Sequence, residues 1–316
     1  MTKIRSRDAS RIQDRRGQGG GLPGGLGDLL KGGGGSRSGG GVAIPGGMGK
    51  LVKGGGGLMG LLIMVAVLVL PKLMGGELTG GTQLAGAPEG AAAASSTASE
   101  EACSTELEQV LCGATNDVSD YWIDQLPLSF GIDYVDTQTV FFSGSTTTGC
   151  GQASSQTGPF YCPLDNLIYF DLDFLVQLQE RFDATGDLAA QYIVAHEYGH
   201  HVQNVLGINA QMREAQQRDP SRANQYSVAL ELQADCFAGA WASDAAARDL
   251  FDDAREVEEA LDAAAAVGDD AIQQKTTGRV DPENWTHGSS AQRVEWFSRG
   301  YRTGDPQQCT TFSEVL

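Results

Sequence analysis

The sequence predicts an α+β fold that is mostly helical and contains a small sheet. Apolar residues recur at helical spacing through most of the second half of the chain. Two short runs rich in β-branched and aromatic residues, at 139–143 and 166–171, have the composition of strands. The first 57 residues hold 21 of the 43 glycines, and a segment that rich in glycine cannot bury a core. The folded domain is therefore expected later in the chain.

The charge of the chain divides at the same place. Residues 1–57 carry ten Lys or Arg against three Asp, whereas the remainder carries twelve basic and 37 acidic residues. We interpret 1–57 as a basic, disordered tail. The acidic remainder argues against a nucleic-acid partner, because binding to phosphates depends on neutralisation by Lys and Arg.

A transmembrane anchor is predicted at 58–74. The 18 residues between Lys53 and Lys72 carry no charge, and 58–70 is an apolar run of 13 residues. A typical span has roughly 20 apolar residues, but flanking glycines and snorkelling lysines allow a shorter segment to cross. The alternative is a buried core helix. The basic residues before the run predict a single-pass protein of the cell membrane with a cytoplasmic N-terminus and an extracytoplasmic domain.

The domain is predicted at 100–316, after a flexible linker at 75–99 composed mainly of Gly, Ala, Ser and Thr. A first helix at 105–125, with a break around Gly113, precedes the two strands. The polar segment between the strands, 144–165, is expected to form a long loop or hairpin. Further helices are predicted at 172–182, 188–206, 221–250, 256–266 and 290–297.

All six cysteines follow the apolar run, which is typical of disulfide bonds in an oxidising compartment. None of them forms a close CxxC pair, so zinc binding by thiolates is the weaker interpretation. The sequence alone does not select a pairing. If neighbours along the chain pair, the bridges are Cys103–Cys112, Cys150–Cys162 and Cys236–Cys309.

A metal site is predicted at 196–201, which reads His-Glu-Tyr-Gly-His-His and holds three of the four histidines. Residues four apart lie on one face of a helix, so His196 and His200 can direct both imidazoles at a single ion. This spacing is the HExxH arrangement of zinc sites. The sequence therefore predicts Zn²⁺ as the cofactor.

The third ligand has to come from elsewhere, because a hydrolytic zinc site has three protein ligands and one open position. Glu231 and Asp235 are four residues apart on a predicted helix and face the same way. We assign Glu231 as the ligand and Asp235 as the acceptor of the spare ring N–H of His196. Asp235 itself, and more remotely His287, are the alternative third ligands.

Hydrolysis is the chemistry that this site predicts. Glu197 would act as general base toward zinc-bound water, whose pKa the metal lowers to about 7. The oxyanion that develops on the attacked carbonyl needs one more donor. His287, in a loop flanked by Gly and Ser, is the preferred candidate, and Tyr226 is the alternative.

Several separated motifs together resemble the bacterial neutral zinc metallopeptidase family. The resemblance runs from the basic N-terminal stretch to Cys309, and the segments that carry it are 158–163, 196–204, 231–236 and 286–288. It implies a zincin-like catalytic domain on a membrane-anchored protein. It also implies His196, His200 and Glu231 as zinc ligands and Glu197 as the base.

These features predict a membrane-anchored, zinc-dependent endopeptidase that acts on protein or peptide substrates. The strand at 166–171 is expected near the cleft, where an extended peptide could pair with it. One alternative is a non-catalytic surface binding or scaffold domain with a structural zinc site. Glu197 argues against this, since a closed structural site has no use for a carboxylate base. Another alternative, amide hydrolysis in cell-wall peptides, shares the same site.

Overall fold

The computed structural model describes residues 2–17, 102–155, 157–176, 187–251 and 255–314. These residues form an α+β fold that is mostly helical with a small sheet, as predicted. The helices are α1 (Glu106–Phe130), α2 (Asp187–Val205), α3 (Ile208–Arg218), α4 (Ala223–Ala247), α5 (Arg255–Ala266), α6 (Asp269–Thr277), α7 (Ser290–Thr303) and α8 (Thr311–Glu314). The strands are β1 (Ile12–Asp14), β2 (Gln138–Phe142), β3 (Ser145–Thr148), β4 (Gly151–Ser154), β5 (Phe160–Cys162) and β6 (Leu167–Asp171).

Four strands form the main sheet in the order β1-β2-β6-β5. β2 lies parallel to β1 and to β6, whereas β5 lies antiparallel to β6. The two predicted strands are β2 and β6, which are central and largely buried on both faces, so each contains a run of apolar residues. The expectation that a peptide pairs with the strand at 166–171 is wrong, because β6 already has a neighbour on each side. The edge strands of the sheet are β1 and β5.

The segment between β2 and β6 holds more structure than the predicted loop or hairpin. β3 and β4 form an antiparallel hairpin, and β5 follows it. A disulfide joins Cys150, next to the hairpin turn, to Cys162 at the end of β5. β5 is only three residues long, which is too short for an alternating pattern to reveal it.

α1 begins with a capping box, in which Thr105 and Glu108 bind each other's backbone N–H groups. The helix continues to Phe130 without the break predicted around Gly113. A Cβ at Gly113 would come within 3.0 Å of backbone atoms of Ile4 and Arg5. The glycine therefore lets another segment pass close to the helix and does not interrupt it.

The second half of the chain packs around α2 and α4. α2 and α5 match the helices predicted at 188–206 and 256–266, and α7 extends the one predicted at 290–297. The helix predicted at 221–250 is shorter, because a 3-10 turn at Pro220–Arg222 precedes α4. α3 and α6 were not predicted, since each is largely polar and buries few side chains. Of the helix predicted at 172–182, residues 172–176 are helical and 177–182 lie outside the described residues.

α4 and α7 cross almost in backbone contact. A Cβ at Gly239 would lie 2.0 Å from the carbonyl oxygen of Phe297, and a Cβ at Gly300 would lie 1.9 Å from that of Cys236. A side chain at either glycine would push the two helices apart, because the interior is already closely packed. This crossing is what brings residues of α7 next to those of α4.

Residues 2–17 belong to the folded domain, so the prediction of a disordered tail is wrong for this stretch. β1 pairs with β2, with Ile12 opposite Thr139, and Ile4 and Ala9 are buried in the main hydrophobic core. The first glycine of the chain is Gly17. Composition averaged over 1–57 therefore concealed a short segment that can pack. Residues 18–57 lie outside the described residues.

Within the described part of the chain, none of the helices has the length and apolar character needed to cross a membrane. The anchor predicted at 58–74 and the linker predicted at 75–99 lie outside that part. The location of the domain and of the N-terminus relative to a membrane stays a prediction.

The pairing of neighbouring cysteines is confirmed. The three disulfides are Cys103–Cys112, Cys150–Cys162 and Cys236–Cys309. The first lies at the start of α1, and the third joins α4 to the segment that precedes α8. Each bridge therefore fastens a short segment to the core of the domain.

Reduction of the disulfides is expected to lower stability by about 2–4 kcal/mol per bridge, because each bridge restricts the unfolded chain. Cys236–Cys309 joins residues 73 positions apart, so it should contribute most. Thermal unfolding of the full chain with and without reductant measures the total effect. The Cys236→Ser/Cys309→Ser variant isolates the third bridge. An unchanged melting temperature, or six titratable thiols in the native protein, would contradict the prediction.

Candidate metal centre

Helix α2 carries the predicted motif in the interior of the domain. His196 and Glu197 are each 7% exposed, and His200 is half-buried on the same side of the helix. The helix ends at Val205, and the chain turns at Gly207, whose φ of 74° is the left-handed conformation that favours glycine. A rigid helix therefore holds both imidazoles at fixed spacing.

The two histidines meet Glu231 of α4. The Nε2 atom of His196 lies 3.2 Å from Oε2 of Glu231, and Nε2 of His200 lies 3.5 Å from Oε1. One ligand atom from each of the three residues lies within 4.8 Å of the others. Tetrahedral zinc with bonds of about 2.0–2.1 Å separates its ligand atoms by about 3.3 Å. The spacing and the donor set therefore fit a zinc ion.

A glycine inside the motif allows the two helices to meet. A Cβ at Gly199 would lie 3.0 Å from the Cα of Ala234, which is closer than ordinary van der Waals contact. α2 and α4 thus approach each other closely at this point, one turn away from Glu231. The sequence pattern between the histidines serves the packing of the site as well as its chemistry.

Asp235 holds His196 from the side away from Glu231. Its Oδ1 lies 2.8 Å from Nδ1 of His196. Arg293 of α7 donates from Nε and Nη2 to the two oxygens of Asp235, each at 2.8 Å, and the Tyr192 hydroxyl donates to Oδ1 at 2.6 Å. The oxygens of Asp235 are therefore engaged, and the candidate metal cluster of the described residues contains Glu231 and not Asp235.

The electrostatics of this group keep Asp235 ionised. Burial alone would raise the pKa of Asp235, but Arg293 and His196 outweigh it and lower the pKa to about 2. Burial likewise acts to lower the pKa of Arg293, and Asp235 holds that pKa well above its ordinary value. The ionised carboxylate then accepts a hydrogen bond from the Nδ1–H group of His196, which leaves Nε2 as the metal-facing nitrogen.

Sequence reasoning missed Arg293 and Tyr192. Arg293 precedes Trp296 and Phe297 by three and four residues, so it lies on the apolar face of its helix. A charged residue on a buried face demands a partner, and this signal could have identified it. Tyr192 is one helical turn before His196 on α2, so its hydroxyl reaches the same carboxylate.

His200 is oriented by Gln203, which follows it on α2. Nδ1 of His200 lies 2.9 Å from Oε1 of Gln203. The amide nitrogen of Gln203 donates to the carbonyl oxygen of Leu230 at 2.7 Å and to Gln233 at 3.1 Å. The orientation of the second histidine is thus linked to α4, the helix that supplies Glu231.

Glu197 lies beside the three candidate ligands. Burial raises its pKa, the nearby His200 and His196 act to lower it, and the net change is upward. The backbone N–H of Tyr161 on β5 lies close enough to this carboxylate to act to lower its pKa. The edge strand β5 therefore borders the carboxylate that was predicted to act as base.

His287 lies near Glu231, in the loop that precedes α7. Burial acts to lower its pKa, but the charge of Glu231 and the carboxylate of Asp269 outweigh it and raise the pKa. Asp269 also accepts the backbone N–H groups of Thr286, His287 and Gly288 at 2.7, 2.6 and 3.0 Å. His287 is not a member of the candidate metal cluster found among the described residues. The loop is thus held by a buried carboxylate that sequence reasoning did not identify.

Two other residues of the predicted region have structural partners. His201 is buried, with Nε2 2.6 Å from the carbonyl oxygen of Val135 and Nδ1 3.2 Å from the Tyr161 hydroxyl. It therefore supports the contact between α2 and β5. Tyr226, the alternative oxyanion donor, has its ring under the guanidinium of Arg222 at 5.7 Å.

Fold and site together define an α+β protein with a His-His-Glu candidate metal site. The chain belongs to the family described as "Putative neutral zinc metallopeptidase", whose model matches residues 1–312. Zinc is the metal that this family implies.

Relatives of the chain include two proteins whose names describe them as uncharacterized. The chain is 40% identical over 259 residues to the uncharacterized protein YpfJ of Escherichia coli strain K12, an alignment that covers 81% of the chain and 88% of YpfJ. It is 49% identical over 210 residues to the uncharacterized protein Rv2575 of Mycobacterium tuberculosis, which covers 63% of the chain and 68% of Rv2575. No solved structure matches the chain.

Proposed function

We propose that the protein is a zinc-dependent endopeptidase that hydrolyses peptide bonds in protein or peptide substrates. The observation that carries this proposal is the meeting of His196, His200 and Glu231 at zinc spacing, with Glu197 beside them. Bound zinc would polarise the scissile carbonyl and lower the pKa of the attacking water. The three ligand residues would leave one coordination position free for substrate or water.

Glu197 acts as general base in this proposal. Its buried carboxylate accepts a proton from the attacking water and passes it to the leaving amine nitrogen. A carboxyl group whose pKa is raised above its ordinary value is better matched to both transfers near neutral pH. The N–H of Tyr161 holds the carboxylate in place between the transfers.

The free edge of β5 is the proposed substrate-binding strand. β5 pairs with β6 on one side, and its Tyr161 amide contacts the base on the other. An extended peptide that adds to this edge would form main-chain hydrogen bonds and lie beside Glu197. β5 thus replaces β6 as the proposed substrate-binding strand, because β6 has no free edge.

His287 is the proposed donor to the oxyanion that forms on the attacked carbonyl. It lies close enough to Glu231 for that carboxylate to influence its pKa, and Asp269 and Thr286 contact its Nδ1 atom at 3.3 and 3.1 Å. These contacts orient the ring and leave Nε2 to face a substrate. Asp269 is then a positioning residue for His287.

The domain is proposed to work in an oxidising, extracytoplasmic compartment. All six cysteines are paired in disulfides, and such bridges persist outside reducing compartments. Attachment to the cell membrane through 58–74 is proposed from the apolar run at 58–70 alone.

Cleavage of unfolded casein by the full chain tests the proposed function. We expect cleavage to stop when a chelator removes the metal and to return when zinc is added, because water activation depends on the ion. Metal analysis of the same samples should show zinc lost and regained in parallel. Stable zinc binding without cleavage would favour the scaffold domain with a structural zinc site. Cleavage of cell-wall peptides and not of casein would favour the amide hydrolase.

A further inference from the structure

The N-terminal segment 2–17 is built into the metallopeptidase domain. Ile4, Ala9 and Ile12 are at most 9% exposed and belong to the main hydrophobic core. β1 extends the sheet by parallel pairing with β2, and Gly113 of α1 leaves room for the passing backbone. The family model also matches the chain from residue 1. The segment therefore has the properties of a strand of the domain.

Several basic residues of this segment are paired with carboxylates of the domain. The pairs include Arg5 with Asp187, Arg11 with Asp120 and Arg16 with Glu108. These arginines are among the residues whose charge predicted a cytoplasmic N-terminus. In the folded chain they compensate an acidic domain. Pairing within the fold therefore accounts for these charges without a cytoplasmic location.

We propose that residues 2–17 and the metallopeptidase domain lie on the same face of the membrane, and that the chain between them does not cross it. Because positions 17 and 102 belong to one folded body, the intervening chain crosses a bilayer an even number of times. Two crossings need roughly 40 apolar residues, whereas the longest apolar run in 18–101 has 13 residues, at 58–70. The intervening chain is therefore expected to cross the bilayer zero times.

The N-terminal segment also supports the helix that carries the metal site. Asp187 is the first residue of α2, and its Oδ2 accepts the backbone N–H of Thr2 at 3.2 Å and Nη2 of Arg5 at 2.9 Å. Transfer of the segment to the other face would remove these bonds and expose the edge of β2. The proposed topology keeps the site intact.

Labelling of single introduced cysteines in sealed membrane vesicles tests the proposal on the full chain. Ser10→Cys reports on the N-terminal segment and Ser221→Cys on the domain, and both serines are exposed. Ser38→Cys and Ser95→Cys lie on either side of the apolar run. The native cysteines are all in disulfides, so a membrane-impermeant maleimide reacts with the introduced thiol.

All four variants are expected to react in the same vesicle orientation and to be protected in the opposite orientation. Reaction of Ser10→Cys and Ser221→Cys from opposite faces would overturn the shared location. Reaction of Ser38→Cys and Ser95→Cys from opposite faces would show that the run crosses, which also overturns the proposal.

Stability of the purified full chain tests the packing independently of the membrane. Ile12→Asp places a charged side chain at a buried position of β1 and is expected to lower the melting temperature by several degrees. Arg7→Asp introduces the same side chain at an exposed position of the same segment and is the matched control. Equal melting temperatures for the two variants would show that the segment is not part of the fold. The proposed membrane topology would then be wrong as well.

Discussion

Glu197→Gln is expected to lower kcat for peptide hydrolysis roughly 10²–10⁴-fold while zinc remains bound, because general base catalysis contributes that much. Glutamine keeps the shape of the side chain and the contact with the Tyr161 amide, but it cannot accept a proton from water. His196, His200 and Glu231 are untouched. KM is therefore expected to change much less than kcat.

Steady-state cleavage of a quenched peptide, with zinc content measured on the same preparations, checks this expectation. Glu258→Gln is the matched control, because Glu258 is an exposed carboxylate on α5 and its replacement should leave the rate unchanged. If Glu197→Gln cleaves at the wild-type rate with full zinc content, Glu197 is not the base. The proposed mechanism would then be wrong even though the metal site stands.

Arg293→Met is expected to destabilise the fold by about 3–5 kcal/mol, because it leaves the Asp235 carboxylate buried without its cationic partner. Arg293 is 3% exposed and Asp235 is fully buried. Asp235 also positions His196, and loss of such support around a metal ligand typically weakens metal affinity roughly 10–100-fold. Urea unfolding and zinc titration measure the two effects separately.

Arg302→Met provides the control on the same helix. Arg302 pairs with Glu295 at 3.5 Å, and both side chains are more than 60% exposed. Exposed pairs contribute about 0–1 kcal/mol, so this variant should unfold like the wild type. The double variant Arg293→Met/Asp235→Asn removes both charges and should recover part of the lost stability. If Arg293→Met and Arg302→Met lower the free energy of unfolding equally, the role given to the buried pair is wrong.

The parts of the fold that were predicted correctly have strong local signals. α2 has apolar residues at helical spacing and a glycine after its end, and β2 and β6 are continuous apolar runs because they are central in the sheet. The parts that were missed lack such signals. β5 is three residues long, and β1 lies next to a glycine-rich stretch that dominates the composition.

The candidate site shows the same division. His196, Glu197 and His200 were identified from their spacing, because helix geometry converts four-residue spacing into one shared face. Glu231 and Asp235 share a face of α4 as well, so spacing alone left open which of the two carboxylates is the third metal ligand. The position of Arg293 decides it, since this guanidinium engages both oxygens of Asp235.

The sequence by itself determined the helix with two histidines and a glutamate, the central strands, and the class of chemistry that these residues support. Each of these depends on contacts within a few residues along the chain, which a periodic pattern records. Only the tertiary structure decided that Glu231 completes the cluster, that Arg293 neutralises Asp235, and that β1 of the N-terminal segment forms an edge strand of the sheet. These depend on helix crossings and on pairing between segments far apart in the chain. A short-range sequence pattern does not specify how such distant segments align with each other.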